Sequence, residues 1–315
     1  MKKIVALLLS LTMVLSMAAC GSSDASSAAS QTAPASTAAS TGEADGSEAT
    51  TAAIPGLEDG VFTVAMECAY APYNWTQTDD SNGAVPIKDS NEYANGYDIM
   101  IAKKICEANG WQLEVIRSDW DSLVPSVQAG TIDAAIAGQS MTAERSEQVD
   151  FAGPYFYATI VCVTKNDSKY ADATSIADLA GGTCTAQIAT IWYDKCLPQI
   201  ENANILTASE TAPAMLMALE SNQVDFICTD MPTAQGAIAA YPDMKILDFS
   251  GTDGDFQFTD EERAENVNIG ISVQKGNTAL VNAINSALDG MTADDFNEIM
   301  AEAIAIQPVG EDNAD

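Results

Sequence analysis

Between two aromatic-flanked polar turns the chain reads Trp120-Asp121-Ser122-Leu123-Val124-Pro125-Ser126-Val127-Gln128-Ala129-Gly130-Thr131-Ile132-Asp133-Ala134-Ala135-Ile136-Ala137-Gly138-Gln139-Ser140-Met141-Thr142. Asp119, Asp121 and Ser122 are helix N-cap residues, and Pro125 sits near the first turn, where its missing N–H costs little. Gly130 is the left-handed stop for a helix over Leu123–Ala129. Thr131 to Ala137 then reads as a buried strand. The device recurs downstream: a helix over 211–221, Asn222 for the left-handed cap, and a strand over 223–229. Outward from the first copy, Val61–Met66 is a strand, Tyr97–Asn109 has helical periodicity ending at Gly110, and Leu113–Ile116 is the next strand. Alternation of this kind over 54–308 predicts an α/β protein of two similar lobes, each a mostly parallel sheet flanked by helices.

In open α/β sheets, ligands bind beyond the carboxyl ends of the strands. After the first repeated strand lie Gly138, Ser140 and Thr142, then Arg145; after the second lies Asp230. One lobe thus offers a cation and hydroxyls, the other a carboxylate. An α-amino acid carries the complementary pair.

Composition narrows the classes. The 315 residues hold 13 Lys plus Arg, 45 Asp plus Glu and no His, a formal charge of −32. That balance argues against nucleic-acid binding. The absence of histidine removes Ser-His-Asp and Cys-His catalysis and every His-ligated metal site. Arg117, Arg145 and Arg263 are the only arginines. The acidic runs at 79–83 and 253–262 lack full calcium-loop spacing and read as solvated loops, so no metal or other cofactor is expected.

Lys2 and Lys3 precede an apolar run from Ile4 to Ala19, too short for a membrane span and suited to a signal peptide. The run ends Met17-Ala18-Ala19-Cys20-Gly21, which resembles a bacterial lipoprotein signal with Cys20 as the lipidated residue. Residues 21–53 hold 24 Ser, Ala and Thr and no aromatic, Val, Ile or Leu, the composition of a disordered linker. Its flexible reach is about 30 Å. Cys68, Cys106, Cys162, Cys184, Cys196 and Cys228 lie mostly in apolar runs and read as buried thiols, with a Cys184–Cys196 disulfide left open.

The ordered set Trp120…Leu123-Val124-Pro125…Gln128-Ala129-Gly130-Thr131-Ile132-Asp133-Ala134…Ala137-Gly138…Ser140-Met141-Thr142…Arg145…Asp150-Phe151…Pro154-Tyr155 resembles the family 3 extracellular solute-binding proteins, amino-acid receptors of ABC importers. Tyr70-Ala71-Pro72-Tyr73, Gly96-Tyr97-Asp98, Asp225…Asp230-Met231-Pro232 and Ile269-Gly270-Ile271…Lys275-Gly276-Asn277 extend the resemblance over about residues 58–300. It implies a two-lobed fold of the type II periplasmic-binding-protein kind with the ligand between the lobes. Lobe 1 is expected over 54–158 and 268–308 and lobe 2 over 159–267, with hinges near Phe156–Ile160 and Glu265–Ile269; residues 309–315 form an acidic tail.

The resemblance also implies roles. Arg145 holds the ligand carboxylate, helped by Ser140 and by Thr190 at a helix start; Asp230 and the Gly138 carbonyl take the ammonium. Tyr70 and Trp120 pack against the side chain, with ordinary core or rim packing as their plainer reading; for Tyr73 and Trp75, also candidates, that plainer reading is the favoured one. Glu67 faces a distal polar or cationic group. Plainer readings stand beside these: an Arg145 ion pair with Glu144 or Asp150, and an N-cap role for Asp230. The family's usual Gly-Thr is Ala189-Thr190 here, which leaves that backbone open. The expected function is a monomeric, lipid-anchored amino-acid receptor that delivers to an ABC permease and performs no bond chemistry. A ligand sensor, or a small-carboxylate dehydratase with Glu67 as acid, are the alternatives.

Overall fold

The computed structural model describes residues 54–308. Cys20, the signal peptide, the linker to residue 53 and the tail 309–315 lie outside the described residues. The chain begins with β1 (Val61–Met66), whose last three side chains are all buried, as a strand covered on both faces requires. Four short strands follow: β2 (Ala69–Tyr70), β3 (Asn74–Gln77), β4 (Val85–Pro86) and β5 (Tyr93–Asn95). They form a small antiparallel sheet in the order β2-β3-β5-β4. Helix α1 (Tyr97–Asn109) stops at Gly110, φ 71°, as its sequence predicts. After β6 (Gln112–Arg117), α2 (Leu123–Ala129) stops at Gly130, φ 66°.

The strand expected over Thr131–Ala137 is regular only at β7 (Ala134–Ala135). Ahead of it, Asp133 turns its carboxylate back to accept the Thr63 N–H at 2.8 Å, taking a place that a ladder carbonyl would fill. Helix α3 (Ala143–Gln148) is capped by Thr142, and β8 (Asp150–Tyr157) and β9 (Ile160–Lys165) then carry the chain into the second sheet. There follow β10 (Thr183–Thr185), β11 (Asn204–Ile205), α4 (Ala212–Glu220) and β12 (Phe226–Asp230). Asn222 adopts φ 58°. β12 starts later than the expected 223–229 because the Gln223 and Val224 N–H groups turn back onto the Ala218 carbonyl. Helix α5 (Met231–Ala240) and β13 (Met244–Leu247) complete this sheet; α6 (Asp260–Val267), β14 (Asn268–Val273), α7 (Thr278–Leu288) and α8 (Ala293–Ile306) return to the first.

The two sheets share one topology. The first runs β6-β1-β7-β14-β8 and the second β11-β10-β12-β9-β13. In each, the first three strands are parallel and the fourth, β14 or β9, runs antiparallel to both of its neighbours. The chain passes between sheets at Ala158–Thr159 and where α6 meets β14. Buried Phe62, Val64 and Ile101 core the first lobe; Val163, Leu219 and Phe226 core the second. The six described cysteines are buried free thiols, Cys184 and Cys196 among them.

Candidate functional site

The equivalent strands of the two sheets aim their carboxyl ends at one another. β1 runs out into Glu67, and Cys68 adopts φ 56°. β7 runs out toward Gly138, φ 64°; a Cβ there would stand 2.7 Å from the Tyr70 ring, so this position requires glycine. In the second sheet β10 leads to Gln187 and then Ala189, φ 55°, while β12 ends on Asp230. Ala189 therefore adopts the left-handed conformation that a glycine would take without strain.

Arg145 sits one turn into α3 with its guanidinium 5.3 Å above the Trp120 ring. Nη1 donates to the Ser140 carbonyl at 2.8 Å and Nη2 to the Ala189 carbonyl, on the other lobe, at 3.0 Å. Burial lowers its pKa to about 10, so it stays cationic at neutral pH. The other two arginines are paired with acids, Arg117 with Glu92 at 2.6 Å and Arg263 with Asp255 at 3.0 Å. Asp150 pairs with Lys275. Among the described residues no carboxylate lies within ion-pair distance of Arg145, which removes the plainer reading of it as half of a structural ion pair.

Asp230 is buried. Its Oδ1 accepts the Thr233 N–H at 2.9 Å, capping α5, and its Oδ2 accepts the Tyr70 hydroxyl at 2.9 Å across the lobes. The N-cap reading thus holds and leaves acceptor sites over. Burial raises its pKa. Tyr70 stacks on Tyr73, centroids 4.9 Å apart. Glu67, also buried, receives Gln187 Nε2 at 3.2 Å on each oxygen, again across the lobes; burial pushes its carboxyl up to about 7. Thr190 donates its hydroxyl to the Gln187 carbonyl at 2.7 Å, which fixes the turn into a π-helical segment, Trp192–Cys196.

Trp120, Gly138, Ser140, Arg145 and Thr190 line one cavity of about 10 Å³, joined by Ile191 and Trp192. The Tyr70 ring packs against Gly138 and its hydroxyl reaches Asp230, while Glu67 meets Gln187; none of Tyr70, Asp230 and Glu67 lines the cavity itself. Tyr73 packs as the second ring of that stack, and Trp75 bonds Gln77 away from the cleft. Outside lies an open chamber of about 730 Å³ between α2, α3, the Trp192 turn and α6. Gln187, Ile191 and Trp192 were not singled out from sequence. Gln187 had a signal: it follows β10 as Glu67 follows β1.

Two lobes of one topology, meeting at a cation from one and a carboxylate from the other that have no ionic partner among the described residues, are the frame of a solute-binding protein. The chain belongs to the bacterial extracellular solute-binding proteins, family 3, whose model matches residues 62–304. The glutamine-binding protein GlnH of an ABC transporter of Bacillus subtilis is 29% identical over 98% of this chain and 99% of its own. A probable histidine-binding protein of Neisseria gonorrhoeae is 26% identical over 83% of this chain and 90% of its own. Among solved structures, an ancestral arginine-binding protein bound to arginine superposes with a TM-score of 0.61 at 27% identity, over 77% of this chain and 97% of that one.

Proposed function

We propose that this chain is the extracytoplasmic receptor of an amino-acid ABC importer and that it clamps a free α-amino acid between its lobes. The observation that carries the reading is Arg145: a partly buried guanidinium with only backbone carbonyls as partners, at a cleft whose far wall holds Asp230. A guanidinium fork suits a carboxylate through two charge-assisted bonds. Ser140 and Thr190 flank that carboxylate, and Asp230 with the Gly138 carbonyl receives the ammonium. Tyr70 and Trp120 pack against the side chain. Glu67 favours a polar or cationic end, in keeping with arginine-, histidine- and glutamine-binding relatives.

The lobes, read as 54–158 with 268–308 and as 159–267, hinge near Phe156–Ile160 and Glu265–Ile269. The 10 Å³ cavity has no room for an amino acid, and the 730 Å³ chamber, though it too reaches Trp120, Arg145 and Thr190, does not reach Gly138 or Asp230, so a ligand that touches both ends of the clamp requires the lobes to part. Tyr70–Asp230, Glu67–Gln187 and Arg145–Ala189 are the contacts that must yield or rearrange. Lipidation at Cys20 would anchor this monomeric receptor beside its permease; among the described residues no helix is long and apolar enough to cross a membrane.

A thermal-shift panel of the twenty amino acids tests the reading. A ligand at 100 times its Kd stabilises the bound state by about 2.7 kcal/mol, a rise of several degrees. Arginine, histidine or glutamine should lead the panel. No shift with any amino acid refutes the proposal.

A further inference from the structure

Helix α1 opens with Gly96-Tyr97-Asp98, and Asp98 is fully buried, with no role in the clamp described above. Its two oxygens hold two hydrogen-bond chains. Oδ1 accepts the Tyr155 hydroxyl at 2.7 Å, and that same hydroxyl oxygen accepts the Gly138 N–H at 2.9 Å. Oδ2 accepts Asn74 Nδ2 at 2.7 Å, and Oδ1 of the same Asn74 side chain accepts the Cys68 N–H at 2.8 Å. Each chain therefore ends on the backbone of a residue with positive φ at a strand exit, Gly138 after β7 and Cys68 after β1. These two exits carry the Gly138 carbonyl on one side and Glu67 on the other.

A buried carboxylate without a cationic partner is costly to retain, whereas a buried amide of the same shape would satisfy only one chain as an acceptor. With two donors aimed at it, the site requires a side chain with two acceptor oxygens, which a carboxyl supplies and an amide does not. We propose that Asp98 is the positioning residue of the ligand cleft: through Tyr155 and Asn74 it fixes the Gly138 and Cys68 peptides, and so sets the aim of the Gly138 carbonyl and of Glu67 at the bound amino acid. This rests on the amino-acid reading above and adds a residue that touches no ligand. The groups around Asp98 are Tyr155 from β8, Asn74 from β3, Tyr73, Tyr97 on its own helix, Cys68 and, from the other lobe, Asp230, which is of like charge. Burial pushes the Asp98 carboxyl up to about 7, so the hub titrates within the physiological range.

The test titrates the purified wild-type chain, Tyr155→Phe, Asp98→Asn and the double variant with L-arginine, L-histidine and L-glutamine by calorimetry. Tyr155→Phe removes one oxygen atom and keeps the ring, so it folds even if Asp98→Asn does not. Each single variant should weaken the best ligand about tenfold, and the double should be no weaker than the worse single: Asn74 Oδ1 is held by the Cys68 N–H, so an amide at 98 keeps its oxygen on Asn74 Nδ2 and both variants cut the Tyr155 chain. The Gly138 amide resonance should move with pH around 7 in the wild type and lose that step in both single variants, a readout that a merely structural role would not move. Unchanged affinity in Tyr155→Phe, additive losses in the double, or a Gly138 amide indifferent to pH overturns the proposal. Where none of the three binds, the best ligand of the twenty-amino-acid panel is titrated in their place; a wild type that binds none of the twenty overturns the amino-acid reading instead, and this one with it.

Discussion

The two lobes are built on one topology, yet they spend their equivalent strand ends differently. The third parallel strand of the first sheet leads to Gly138, where a side chain is excluded, and its cation arrives later, on α3. The third parallel strand of the second sheet ends directly on Asp230, which caps the next helix with one oxygen. The first parallel strands lead to Glu67 and Gln187, and these equivalents meet face to face. A repeated fold thus gives one lobe the cation and the other the anion. The asymmetry matches a ligand with two unlike ends.

The largest expected effect breaks that asymmetry from each side. Arg145→Ala removes the partly buried charge proposed to hold the ligand carboxylate and should cost about 3 kcal/mol of binding, ~100-fold. The melting temperature without ligand should hold or rise, since no carboxylate loses a partner in the described structure. Asp230→Asn keeps an N-cap of equal quality and removes the charge, so binding should fall while stability changes little; Asp230→Ala should lose both, with about 1 kcal/mol of stability from the cap. Calorimetric titration beside thermal unfolding separates the two. Binding retained in Arg145→Ala would refute the carboxylate clamp.

The face-to-face pair predicts a smaller effect of opposite sign to ordinary acid denaturation. Glu67 and Asp98 are held near 7 by burial, above the 4.5 and 3.8 of free side chains. The folded state therefore binds more protons than the unfolded between those values, and stability rises as pH falls from about 7.5 to about 5. Each group contributes at most about 3 kcal/mol over that window. Below it, the gain ends as exposed acids held low by their partners, Glu92 beside Arg117 and Asp150 beside the Gly276 N–H, take up protons. Glu67→Gln should flatten part of the rise in melting temperature between pH 7.5 and 5.5. A melting temperature that falls steadily over this range would contradict the buried, uncompensated state of these acids.

How much of this was legible in the sequence depended on whether the signal was local. Helix α1 and its glycine stop follow from periodicity and a left-handed cap, and the stop at Asn222 likewise. The place of Arg145 just beyond a strand end was legible from the local helix–strand pattern, and the structure puts it on a short helix there. The four-stranded β2–β5 sheet was not, because strands of two to four residues take their pairing from tertiary contacts rather than from pattern. β7 was overestimated because a side chain, Asp133, supplies a bond that backbone pattern assigns to the ladder. The Glu67–Gln187 meeting lies 120 residues apart in the chain and follows only from how the two lobes close.

The smallest expected effect sharpens the comparison at the first strand ends. Beyond Glu67 and beyond Gln187 the backbone turns through a positive φ, at Cys68 (56°) and Ala189 (55°). Neither is glycine, and each pays a left-handed penalty of about 1–2 kcal/mol. At Ala189 the peptide so produced offers its carbonyl to Arg145 across the lobes. Ala189→Gly relieves that strain but frees the unfolded chain, which returns about 0.5–1 kcal/mol of the gain. A net stabilisation of up to about 1 kcal/mol follows, a rise of about 2–4 °C for a body of this size. Affinity should change little, because the carbonyl keeps its place. A fall in melting temperature would mean that Ala189 packs usefully in its strained conformation, and that the departure from glycine is selected for contact rather than tolerated.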